Sequence, residues 1–222
     1  MRKPIYAEAV IFDLDGTLID STLEHYQATM TAAECLGGTG CGFTRYRRLL
    51  QEHTHFMLYQ KLGVRADEES VVKVFISVWQ NFSRSITPMP GVHEMLASLW
   101  EKGVVLGLVS GSQKDVVRAS LQNFGLAQYF SAAYVYGSSK KALVRKEEAF
   151  AALMHTWHIP PSCITAIGDM PSDVRIARKH GMHAIGFLGG LGTSVTLKAA
   201  GAEYCIRKLS TLTKILRRRE DV

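Results

Sequence analysis

Near its start the chain carries a short apolar run, Val10-Ile11-Phe12, that stops at Asp13-Leu14-Asp15-Gly16, and this reads as a buried strand ended by Asp-Gly turn chemistry. For about seventy residues beyond it, apolar positions recur at helical rather than strand spacing. Ser21-Thr22-Leu23-Glu24 has the form of a capping box and predicts a helix carrying Leu23, Tyr26, Met30 and Ala33 on one face, closed by the glycines between Gly37 and Gly42. A second helix is expected through Leu49, Leu50, His53, Phe56 and Met57, ending at Gly63. A third, through Val71, Val74, Phe75, Val78, Trp79 and Phe82, is the clearest amphipathic stripe in the chain. Three helices with no strand among them predict a small bundle.

After Pro88 and Pro90 the pattern alternates. A helix with Val92, Leu96 and Leu99 precedes strands expected at 104–109, 132–136, 163–167 and 183–187, with helical segments between them. Strands joined by helical crossovers call for a parallel sheet, so the expected class is α/β: a Rossmann-like doubly wound core with an inserted helical unit. The expected division is a core of residues 1–18 and 88–222 and a helical domain of residues 19–87.

Ligands of such sheets bind beyond the carboxyl ends of the strands, so the polar residues there are the candidates. The first strand delivers Asp13 and Asp15, two carboxylates close enough to split each other's pKa unless a cation or proton lies between them. A second strand ends in Ser110-Gly111-Ser112, where a hydroxyl, an amide and a helix amino terminus would receive a phosphate oxygen, and Ser112 with Asp115 reads as the opening of the next helix. A third runs into Gly168-Asp169-Met170-Pro171-Ser172-Asp173; with Asp13, the two aspartates offer hard oxygen donors that suit magnesium better than zinc, although helix capping alone would also account for them.

Taken together, Asp-x-Asp-Gly-Thr-Leu at 13–18, the strand-terminal Ser110 and Gly-Asp-x-x-x-Asp at 168–173 give the chain its family likeness. It resembles the haloacid dehalogenase superfamily, in its phosphatase branch with a helical cap between the first and second motifs. The resemblance implies that Asp13 is a nucleophile esterified by phosphate and that Asp15 protonates the leaving alcohol. It implies magnesium held by Asp13, the main-chain oxygen of Asp15 and Asp169, with Asp173 in support. The family's third motif is a lysine, often followed by prolines that are missing here. Lys146, four residues before the apolar Phe150, is the first choice and Lys141 the reserve. A magnesium-dependent phosphatase of a sugar phosphate or phosphoglycolate type is expected, with a phosphosugar mutase or a non-catalytic phosphate-binding protein as alternatives. Dehalogenation fits less well, because Asp15 is present.

The 222 residues carry a formal net charge of +6, which favours an anionic small-molecule substrate. Much of that charge sits in Lys208, Lys214 and Arg217 to Arg219, read as a solvated last helix with no aromatic residues to stack on bases, so neither nucleic acid nor membrane is an expected partner. No signal peptide or spanning segment is evident, and a cytoplasmic monomer or homodimer is expected. Cys35, Cys41, Cys163 and Cys205 lack metal or redox spacing and are expected as buried free thiols. Arg45, Arg47 and Arg48 read as solvated, with one of them a candidate to reach the substrate. His53 and His55 read as structural or substrate-facing, and Gly189 to Gly192 as a supple rim.

Overall fold

The structure, a computed structural model, describes residues 4–135 and 142–218. Its frame is a six-stranded parallel sheet built on β2 (Ala9–Phe12), whose four residues are all buried. On one side lie β5 (Val105–Ser110) and β6 (Ala132–Val135); on the other lie β7 (Ile164–Gly168), β8 (His183–Phe187) and β9 (Tyr204–Ile206). The chain therefore fills one side of β2 and then crosses back to the other, and the ends of β2, β5 and β7 converge where the direction reverses.

Both faces of the sheet are covered, which is why these strands read as continuous apolar runs. Val10, Phe12, Leu106 and Leu108 pack with α5 (Val92–Glu101) and α6 (Lys114–Asn123). Ala9, Ile11 and Val109 face α7 (Ala142–Trp157) and α8 (Pro171–Lys179). After β8 comes α9 (Ser194–Ala199), whose Leu197 is fully buried against this second face.

Two short pairings frame the core. β3 (Ile19–Asp20) pairs antiparallel with β4 (Thr87–Pro88), closing the chain on either side of the helical insertion. β1 (Ile5–Tyr6) pairs with β10 (Leu216–Arg217), which follows the one-turn α10 (Leu212–Ile215). The described part of the basic carboxyl end is thus not the solvated last helix its charges suggest. Leu209, Leu212 and Leu216 are buried, and Arg218 donates to the Lys102 carbonyl at 2.9 Å.

The insertion has four helices rather than three. α1 (Thr22–Cys35) and α4 (Glu68–Phe82) pack on each other, and the expected second helix is two, α2 (Phe43–Glu52) and α3 (His55–Lys61). The break falls at His53-Thr54, where Thr54 caps α3 by accepting from the Met57 N–H at 3.3 Å. This cap competes with continuation of the helix, a choice that apolar periodicity does not register. Tyr46, Leu58, Tyr59 and Leu62 form the centre of a separate small core there. Of the four cysteines only Cys163 is buried; Cys35 is exposed and the others are half-buried. Among the described residues, no helix is long and apolar enough to cross a membrane.

The covered face of β5 has no room for side-chain growth at Gly107, where a Cβ would come within 2.5 Å of the Trp157 ring. Gly107→Ala is expected to cost about 1–3 kcal/mol through overpacking. A lowered urea midpoint at unchanged slope is the expected readout.

Candidate active site

Asp13 directly follows β2, Asp169 directly follows β7, and Asp173 lies in the first turn of α8. One carboxylate oxygen from each lies within 4.8 Å of the others. The close approach depends on absent side chains: a Cβ on Gly168 would meet the Asp173 carboxyl at 2.3 Å, and one on Gly190 would meet Asp169 Oδ2 at 2.1 Å. Asp173 also serves the backbone, since its Oδ2 accepts from the Met170 N–H at 3.0 Å. Capping and site membership are here the same side chain.

Lys146 reaches this group from the second turn of α7. The helix begins at Ala142 and runs through the Phe150 that Lys146 precedes by four residues. Its side chain is about 5% exposed, and its Nζ lies 3.6 Å from Asp13 Oδ1 and pairs with Asp173 Oδ1. Lys141 lies outside the described residues.

Three acids and one ammonium leave the charge unbalanced. Burial, and then the neighbouring Asp173 charge, push Asp169 up to about 7. Burial likewise holds Asp13 well above the usual carboxylate range, with the Asp173, Asp169 and Asp15 charges adding to it and Lys146 opposing. Asp169 accepts from the Leu191 N–H at 2.6 Å through Oδ2, whereas its buried Oδ1 meets no hydrogen-bond donor among the described residues. Hard oxygen donors, excess negative charge and an unpaired buried oxygen are what a divalent cation would satisfy.

Asp15 stands apart from the three-acid group. Its carboxylate accepts from Ser21 Oγ at 2.9 Å and from Ser112 Oγ at 2.6 Å. Both serines read differently in sequence. Ser21 flanks α1 but makes no side-chain cap bond, and α6 begins behind Gln113 rather than behind Ser112. Local capping competed with a long-range carboxylate, and the charged partner won. A serine six residues from Asp15 and another two residues beyond the strand-end Ser110 were the available signals. Ser110 is buried and its Oγ accepts from the Ser112 N–H at 3.1 Å, while Gly111 and Ser112 line the cavity above the acids.

The arginine cluster divides. Arg45 and Arg48 are exposed, whereas Arg47 crosses to the loop after β8, donating through Nη2 to the Gly192 carbonyl at 2.7 Å and through Nε to that of Leu191. Gln51 donates to the Leu191 carbonyl at 2.6 Å. Leu191 therefore links α2 to Asp169: its carbonyl holds the helix while its N–H holds the carboxylate. What reads as a supple rim is close-packed, since a Cβ on Gly192 would lie 2.0 Å from the Asp169 carbonyl oxygen.

A family model described as haloacid dehalogenase-like hydrolase matches residues 10–187, from β2 through β8. The chain belongs to that family. The phosphoglycolate phosphatase of Synechococcus elongatus is 24% identical over 208 residues, covering 92% of this chain and 95% of its own. The phosphorylated carbohydrates phosphatase of Thermotoga maritima is 26% identical over 219 residues, covering 94% and 100%. The crystal structure of a predicted phosphatase from Clostridium acetobutylicum is similar with a TM-score of 0.76 at 26% identity, over 95% of this chain and 97% of that one.

In this haloacid dehalogenase-like hydrolase the Arg47 contacts tie an inserted helix to the core. Arg47→Ala is expected to speed amide hydrogen exchange over residues 189–193 while leaving β2, β5 and β7 as protected as before. Unchanged exchange in that loop would show that the latch does not order it.

Proposed function

We propose that this chain is a magnesium-dependent phosphoric monoester hydrolase that cleaves a small phosphorylated metabolite through an aspartyl phosphate on Asp13. The observation that carries this reading is the placement of two carboxylates in two surroundings: Asp13 beside Lys146, Asp169 and Asp173, and Asp15 apart from them on Ser21 and Ser112. The relatives' phosphatase names support it, as does the order of the motifs along the chain.

Phosphate monoesters are extremely inert, so rate must come from an in-line nucleophile and from neutralising the phosphoryl oxygens. In this reading an Asp13 oxygen attacks phosphorus; the new O–P bond forms as the bond to the leaving alcohol oxygen breaks. Asp15 gives that oxygen its proton and is left as a carboxylate. It then takes a proton from a water that attacks the aspartyl phosphate, releasing inorganic phosphate and restoring both side chains. Ser21 and Ser112 hold Asp15 in position for both transfers.

Lys146 and the Gly111 amide would receive phosphoryl oxygens, with Ser110 ordering the turn beneath them. Asp13, Asp169, Asp173 and the main-chain oxygen of Asp15 would hold magnesium. When bound, it would supply positive charge that keeps the acids ionised and offsets the negative charge of the phosphoryl oxygens. The helices between residues 19 and 87 act as a cap over the core of residues 1–18 and 88–222, excluding water from the ester.

Phosphate release from a broad panel of esters with magnesium tests the reading. Asp13→Asn is expected to lower kcat at least ~1,000-fold with the fold retained by circular dichroism, and activity near wild type would place the nucleophile elsewhere.

Cation dependence has a sign. Without a cation, the raised Asp169 pKa means that the folded state keeps a proton the unfolded chain has lost, from near 3.8 up to about 7. That stabilisation is present at low pH and is lost as pH rises through about 7. A cation competes with the same proton, so added magnesium is expected to raise the melting temperature more at about pH 8 than at about pH 5.5. Equal gains at both values would contradict a site containing Asp169.

A further inference from the structure

One cavity of about 280 Å³ runs from Asp13, Asp15 and Ser112 up between the inserted helices. Its upper wall is α4, which presents Val71, Val72, Phe75, Ile76 and Trp79 as a single helical stripe. Val71 and Trp79 are 3% and 5% exposed, so this wall is fixed by packing. The Phe75 and Trp79 rings stack at a centroid distance of 5.8 Å and an interplanar angle of 25°, and Val116 of α6 extends the apolar surface toward the core.

Packed directly against this stripe is a polar group: the His25 ring lies against Phe75 and Trp79 at centroid distances of 5.1 and 5.7 Å, and His55 against Phe75 at 4.9 Å. His25 Nδ1 lies 2.7 Å from the Tyr46 hydroxyl, and His55 Nε2 lies 3.1 Å from Thr29 Oγ1, so these groups hold one another. Burial keeps both imidazoles below the ordinary histidine range, and neither supplies a positive charge near neutral pH. Among the described residues that line the cavity, the cationic side chains are Lys146 and Arg175, both on core helices. Lys146 is engaged by Asp13 and Asp173 at the phosphate end, and Arg175 is exposed. The inserted helices contribute the half-buried Glu68 and Glu52, which is as exposed as Arg175, with His53 between α2 and α3 also in the lining.

We infer that the preferred substrate is a phosphate monoester whose leaving alcohol is uncharged and carries a flat apolar body, seated on the Phe75–Trp79 wall, rather than a carboxylate-bearing ester such as 2-phosphoglycolate. The inference rests on the phosphatase reading and narrows it. An apolar body leaving water for this wall gains free energy in proportion to the area covered. A carboxylate brought to the same place would lose its hydration beside an apolar surface, with acidic rather than basic neighbours on the inserted helices.

The test compares kcat/KM for 2-phenylethyl phosphate, 2-phosphoglycolate and glucose 6-phosphate with magnesium. All three are esters of primary alcohols, so the comparison reads the pocket more than the leaving group. The phenylethyl ester is expected to exceed each of the others by ~10-fold or more, the scale of burying a phenyl ring. Ile76→Lys, which puts a cation on the apolar wall, and Phe75→Leu, a milder change that removes the ring, are each expected to reduce the phenylethyl-to-phosphoglycolate ratio several-fold. A ratio within one preparation does not depend on the fraction that folds. Turnover of 2-phosphoglycolate or glucose 6-phosphate equal to or above that of the phenylethyl ester, or a ratio unmoved by both variants, overturns the inference and leaves the phosphatase reading standing. No phosphate from any ester, here or across the broad panel, overturns both.

Discussion

The crowding of Asp13, Asp169 and Asp173 around one buried ammonium is the constraint on which the site depends. Like charges at this separation are unfavourable, and more so away from water, so the arrangement persists only because the backbone enforces it. Two of the acids directly follow adjacent strands of a parallel sheet and the third sits in the first turn of a helix. The main-chain hydrogen bonds of that sheet, not attraction among the side chains, hold them together. Lys146 relieves part of the repulsion, and the remainder makes the pocket receptive to a cation.

The same economy governs the surroundings. Gly168 and Gly190 are small because carboxyl groups occupy the space their side chains would fill. Leu191 touches both the acid group and the inserted helices, so loop order and acid geometry are coupled through one residue. Asp15 is held differently, by two hydroxyls, one at the start of α1 and one from the turn after β5. Two aspartates one residue apart thereby acquire distinct surroundings, the condition for distinct chemical roles.

Above the acids, the inserted helices turn an open strand-end crevice into a cavity lined by an apolar wall with the His25 and His55 rings packed against it. Their own small core around Tyr46 and Tyr59 keeps this wall in shape. In the proposed reading, the sheet supplies phosphate chemistry and the helices select the alcohol, so the two requirements sit on different elements.

Much was legible from residue order. Val10-Ile11-Phe12 ending at Asp13 marked the central strand, β8 spans the expected 183–187, and the acids beyond strand ends stood out because turns expose what strands bury. Those signals are local, and a single-sequence reading carries local signals well. The bond of Ser112 to Asp15, the reach of Arg47 to the 191–192 carbonyls and the pairing of β1 with β10 were decided by the tertiary structure, whereas the Thr54 break and the Ser21–Asp15 bond are local competitions that apolar periodicity does not register. In those three, a side chain or strand edge met its partner far along the chain. Composition and periodicity determine which residues are buried and where the chain turns; which polar group meets which is set only when distant segments share one space.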